Sequence, residues 1–113
     1  MAAVTKTARA ALEPVLTEFR LRAEETYGKR LKGIILYGSW SRNEAGPDSD
    51  IDLAVVLSGP VESGVEIDRL LDLTVELDLK YGVLLSVYPV SEADYRDLRS
   101  PLLLNLRREG LPA

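Results

Sequence analysis

The stretch "YGSWSRNEAGPDSDIDLAVV", Tyr37 to Val56, decides the reading of this chain. It joins an apolar run ending in Gly38-Ser39 to a second apolar run that begins with two aspartates, Asp50 and Asp52. Charge at the mouth of a buried strand is costly, so the pair needs a reason. On a strand, residues two apart project to the same face, roughly 6–7 Å apart along the backbone. Asp50 and Asp52 can therefore converge on one cation, while Ile51, Leu53 and Val55 turn to the opposite face and into the core. A hard divalent ion such as Mg²⁺ suits an all-oxygen site and takes phosphate oxygens into its shell.

Bland readings compete with that one. A bare D-x-D can simply sit exposed where a strand leaves a solvated loop. Asp48, Asp50 and Asp52 also have the spacing that opens a calcium loop, but Leu53 and Gly59 occupy the positions where such a loop needs glycine and glutamate. Gly38 and Ser39 shift the balance. A glycine after a strand lets backbone approach a ligand, and free N–H groups at a helix start attract an anion. Ser39 adds a hydroxyl donor, and Arg42 can add charge to the same anion. An anion cradle beside a cation-binding pair describes a site for a metal-bound polyphosphate.

Outward from this core, the pattern alternates helix and strand. Leu12, Val15, Leu16, Phe19 and Ala23 give helical spacing over residues 5–27, with Pro14 either starting the main helix or kinking a longer one. Leu31 to Tyr37 reads as a strand, "SWSRNEA" as a short helix and "DIDLAVVL" as a second strand. "LDLTVELDL" alternates like a strand. Yet Glu66, Arg69, Asp72, Glu76 and Lys80 recur at helical steps over a run too long for a typical strand, so a helix is expected from Gly64 to Tyr81. "VLLSVYPV" reads as a third strand, Ser91 as the N-cap of a helix, and "PLLLNLRRE" as a last helix closed by Gly110. The class is α/β, a sheet flanked by helices, in one domain over residues 1–113.

Composition narrows the chemistry. The chain has no cysteine and no histidine, which removes disulfides, thiolate metal sites and histidine acid–base catalysis. A net charge of −4 argues against a nucleic-acid backbone as the main partner. No apolar run is long enough for a membrane span, and no signal pattern opens the chain, so the cytoplasm is the expected compartment. A homo-oligomer or a hetero-oligomer is compatible with all of this.

Gly-Ser, ten residues, then Asp-Ile-Asp resembles the signature of nucleotidyltransferases of the DNA polymerase beta type. From the helix before Leu31 to the terminal "NLRREG", the chain more closely resembles the minimal nucleotidyltransferases that partner HEPN-domain proteins in toxin–antitoxin pairs. The resemblance implies a polymerase-beta-like fold with a mixed sheet of three or more strands, ATP or another NTP as substrate, and Mg²⁺ as cofactor. Gly38, Ser39 and Arg42 would hold the nucleotide, and Asp50 and Asp52 would ligate the catalytic metal. It implies transfer of a nucleoside monophosphate to a hydroxyl, in those pairs a tyrosine of the HEPN toxin. The chain departs from the pattern in two places. Ser41 and Asn43 replace the Ala and Gly common around the motif's arginine, and "VLLSVYPV" lacks the third carboxylate, with Ser86 in its middle. Glu92 and Asp94 just beyond fit first-turn helix acids better than a catalytic role. Two rivals follow: a nucleotide-binding module that neutralises its partner by complex formation alone, and a small-molecule nucleotidyltransferase, for which no acceptor domain is visible.

Overall fold

The structure, a computed structural model, describes residues 2–40, 50–97 and 110–113. Helix α1 (Ala2–Tyr27) runs through Pro14 without a break. Of the two alternatives for that proline, the longer helix is the one formed. Its buried residues Leu12, Val15, Leu16, Phe19, Ala23 and Tyr27 recur at steps of three and four, which lays one stripe on the sheet. Gly28, at φ +54°, ends it. Strand β1 (Leu31–Tyr37), strand β2 (Ile51–Leu57), helix α2 (Ser63–Tyr81), strand β3 (Leu85–Ser91), the short helix α3 (Glu92–Arg96) and strand β4 (Leu111–Pro112) follow in order.

The sheet order is β3-β2-β1-β4, with β1 antiparallel to both β2 and β4, and β3 parallel to β2. This is the mixed sheet expected, with one strand more than the sequence suggested. Strand β4 pairs Leu111 with Leu36 and Pro112 with Ile35. Strand β3 begins two residues later than expected, so Ser86 is its second residue rather than its middle. Pro89 lies within it, level with Val55. The "PLLLNLRRE" helix, and most of the "SWSRNEA" helix, lie outside the described residues; Gly38–Trp40 forms a single 3₁₀ turn.

Strand alternation gives the sheet two unlike faces. Ile34, Leu36, Ile51, Leu53, Val55 and Leu57 are buried against α1 and α2 in the principal core. The opposite face carries Asp52, Ala54 and Val56 of β2 beside Ile35, Tyr37 and Tyr88, with Tyr95 of α3 packed on it in a smaller cluster.

Helix α2 forms as the polar stripe predicts, with one correction. Glu66, counted in that stripe, is buried at 4 % exposure. Its Oε1 accepts a hydrogen bond from the Tyr27 hydroxyl at 2.9 Å, and Arg69 and Arg30 reach the carboxylate at 3.3 and 3.8 Å. A carboxylate tolerates burial when paired and hydrogen-bonded in this way. Burial, then the bond to Glu66 and its charge, pushes the Tyr27 phenol far above its ordinary range. On the outer flank, Glu18 of α1 accepts from Lys80 at 2.8 Å and from the Tyr81 hydroxyl at 2.7 Å, and Arg22 pairs with Glu76.

Candidate nucleotide site at the start of β2

Strand β1 delivers Tyr37 opposite Asp52 in the antiparallel ladder, and the chain then turns at Gly38. Gly38 has φ +71°, a left-handed conformation that side chains disfavour. It is also crowded: a Cβ added there would lie 2.3 Å from Oδ2 of Asp52 and 3.2 Å from its Cγ. Only a glycine lets this bend and this carboxylate meet. The Gly-Ser motif and the Asp-x-Asp motif, ten residues apart in sequence, thus meet at Gly38 and Asp52.

Ser39 is the second residue of the same turn. Asp50 immediately precedes β2 and is exposed, Ile51 is buried in the core at 1 % exposure, and Asp52 is half-buried. Strand alternation places Asp52 on the face opposite Ile51 and Leu53, while Asp50 stands just outside the strand. The Ile51 N–H donates to the Leu84 carbonyl at 2.9 Å, fixing the strand's first residue to the approach of β3. Arg42 lies outside the described residues.

Asp52 also acts on its neighbours. Burial first, then the Asp52 charge and Tyr88, raises the Tyr37 phenol above its ordinary range. Ser86 stands level with Asp52 on β3 and is exposed. Among the described residues no group of three or more acidic, histidine or cysteine side chains could hold a metal ion. The gap seen in the sequence is therefore a place in the sheet: the side chain adjoining Asp52 is a hydroxyl, which is neither an anionic ligand nor a base at neutral pH. Glu92 and Asp94 occupy the first turn of α3, where Ser91 Oγ accepts from the Asp94 N–H at 3.0 Å. Trp40 and Tyr81 pack against the principal core, while Tyr88 and Tyr95 belong to the smaller cluster.

The donors suit a hard cation. Both aspartates offer carboxylate oxygens, and the missing side chain at Gly38 leaves room for the Asp52 carboxylate itself. Residues 16–100 match the profile of the nucleotidyltransferase domain. The chain belongs to that family. Two proteins of Methanocaldococcus jannaschii are similar to it. "Putative protein adenylyltransferase MJ0604" is 36% identical over 80 residues, covering 71% of this chain and 74% of the relative. "Putative protein adenylyltransferase MJ1305" is 31% identical over 84 residues, covering 74% of this chain and 57% of the relative. Membership in the nucleotidyltransferase family implies a nucleoside triphosphate substrate and, as a rule, a divalent metal. Among the described residues no helix is long and apolar enough to cross a membrane.

The sequence did not reveal that Tyr37 and Asp52 are opposite one another, since no local pattern fixes the register of the ladder. Nor did it reveal Glu66, whose partners lie in other elements.

Proposed function

We propose that this chain is a Mg²⁺-dependent protein adenylyltransferase that moves AMP from ATP to a tyrosine of a HEPN-type partner, and so serves as its antitoxin in the cytoplasm. The observation that carries the reading is the close approach of Gly38 and the Asp52 carboxylate, which supports taking the Gly-Ser bend and the acidic strand as one site. The names of the two archaeal relatives support a protein acceptor. Gly38 and Ser39 would hold the β and γ phosphates, with Arg42 adding charge. Asp50 and Asp52 would hold Mg²⁺, which supplies neutralisation of the phosphates and of the departing pyrophosphate. The acceptor oxygen attacks the α-phosphorus, the bond from that phosphorus to the bridging oxygen breaks, and pyrophosphate leaves with the electron pair. The hydroxyl proton passes to water or to a carboxylate of the partner, since Ser86 cannot take it. The chain contributes position and charge rather than a covalent intermediate.

Ser86 beside Asp52 favours a second reading, in which the pocket binds nucleotide without transfer and the partner is silenced by complex formation. ATP labelled at the α-phosphate, incubated with the chain and a HEPN-type protein, separates the two. Label fixed to the partner supports transfer; a tight unlabelled complex supports the binding module. Both readings need the site itself. Calorimetric titration with Mg-ATP should show affinity about tenfold or more weaker in the Asp50→Ala, Asp52→Ala double variant, and unchanged affinity would refute the site.

A further inference from the structure

Helix α2 turns Glu66, Leu70, Leu73 and Leu77 into the protein. At 100° per residue, Ile67, Leu71, Val75 and Leu79 then fall on an outward stripe at successive i, i+4 positions. They are 45, 48, 46 and 81 % exposed. Glu76 and Lys80 tie one flank of the helix to α1, so the stripe occupies the flank away from it. Beyond the left-handed cap at Gly82, Leu84 continues the apolar surface at 55 % exposure. Single exposed leucines are ordinary; a run of this length along one element marks an interaction surface.

Its charge selects the occupant. Asp68 and Asp72 are exposed among the stripe residues and make no ion pair among the described residues, while the helix's two bases are engaged elsewhere, Arg69 with Glu66 and Lys80 with Glu18. An apolar track with an acidic rim fits apolar side chains flanked by Lys or Arg, and disfavours a second copy of itself. The track also leads somewhere. Asp78 Oδ1 accepts from the Leu85 N–H at 2.8 Å and the Leu84 carbonyl accepts from Ile51, so the apolar surface runs out beside the residue that follows Asp50.

We propose that Ile67, Leu71, Val75, Leu79 and Leu84 form the docking track for the polypeptide acceptor, an amphipathic helix with a basic rim whose end is brought to the carboxylate edge of the sheet. The role of acceptor rests on the transfer reading above; the docking surface does not.

The test is fluorescence anisotropy with a labelled synthetic Leu/Lys helix about 18 residues long, against a Leu/Glu helix of the same apolar pattern. The Leu/Lys helix should bind about tenfold tighter than the Leu/Glu helix, and Leu71→Gln with Leu79→Gln should weaken it about tenfold again. Asp68→Asn with Asp72→Asn should weaken it about threefold, whereas the same charge change at exposed positions of α1, Glu24→Gln with Glu25→Gln, should not. Equal binding by the Leu71, Leu79 variant, or an equal loss in the α1 control, overturns the proposal. So does a wild-type dimer in sedimentation that the Leu71, Leu79 variant dissolves, since a second copy would then be the occupant. Mg-ATP calorimetry on the same proteins separates the two ideas. A chain that binds the peptide but not Mg-ATP keeps the track and loses the transfer reading, and one that binds Mg-ATP but not the peptide does the reverse.

Discussion

The two faces of β2 are made of neighbouring residues and obey opposite rules. Leu53, at 0 % exposure, is enclosed by both long helices. Asp52, one residue earlier, lies half-buried against a glycine that has no side chain to offer it. One peptide unit separates packing from chemistry. The site therefore inherits its rigidity from the core behind it, and each aspartate is held by the buried residue that follows it in the chain, Ile51 or Leu53.

The sharpest way to break the comparison is to exchange the damage. Leu53→Ala should cost about 2–5 kcal/mol of stability, because the enclosed site leaves a cavity. Asp52→Asn should leave the denaturation midpoint within the range of an ordinary surface change while weakening Mg-ATP binding about tenfold. Urea titration paired with calorimetry reads both, and a large stability loss in the Asp52 variant would show that the carboxylate belongs to the scaffold. Gly38→Ala should fall between them. It costs about 1–2 kcal/mol for the left-handed backbone and displaces the Asp52 carboxylate, so both measurements should move together.

The smallest effect lies at the rim of the helical layer. The hydrogen bond from Lys80, then that from Tyr81, holds the Glu18 carboxyl below the usual carboxylate range. A depressed folded-state value adds stability above the unfolded carboxylate range, and that contribution is lost as pH falls through the folded value. Between about pH 5 and pH 3 the melting temperature of the wild type should thus drop slightly more steeply than that of Glu18→Gln. Parallel slopes would show that this exposed contact contributes nothing.

What could be read from the sequence was whatever depends on near neighbours. The stripe on α1, the strand Leu31–Tyr37 and the alternation Ile51, Leu53, Val55 are local periodicities, and the structure realises them. Helix α2 was legible only by weighing run length and the 3–4 steps of its polar residues against the misleading alternation of "LDLTVELDL". Gly-Ser and Asp-x-Asp stood out because both break the apolar runs that carry them. What stayed hidden needed distant partners. Glu66 looks like a surface residue until Tyr27 and Arg30 are brought over it. Strand β4 is two residues, one of them proline, and exists because the edge of β1 offers it a ladder. That Asp52 meets Tyr37, and that Ser86 takes the place beside it, follows from strand register.

Pro89 carries a consequence of its own. Among the described strands β3 is the outermost on its side, and an imide nitrogen there leaves the ladder one donor short. A foreign strand sliding up to that rim would find its hydrogen-bonding template interrupted, so the sheet resists runaway extension and amyloid-like stacking. Recruitment of other proteins is thereby pushed away from backbone pairing and onto side chains, where it can be selective.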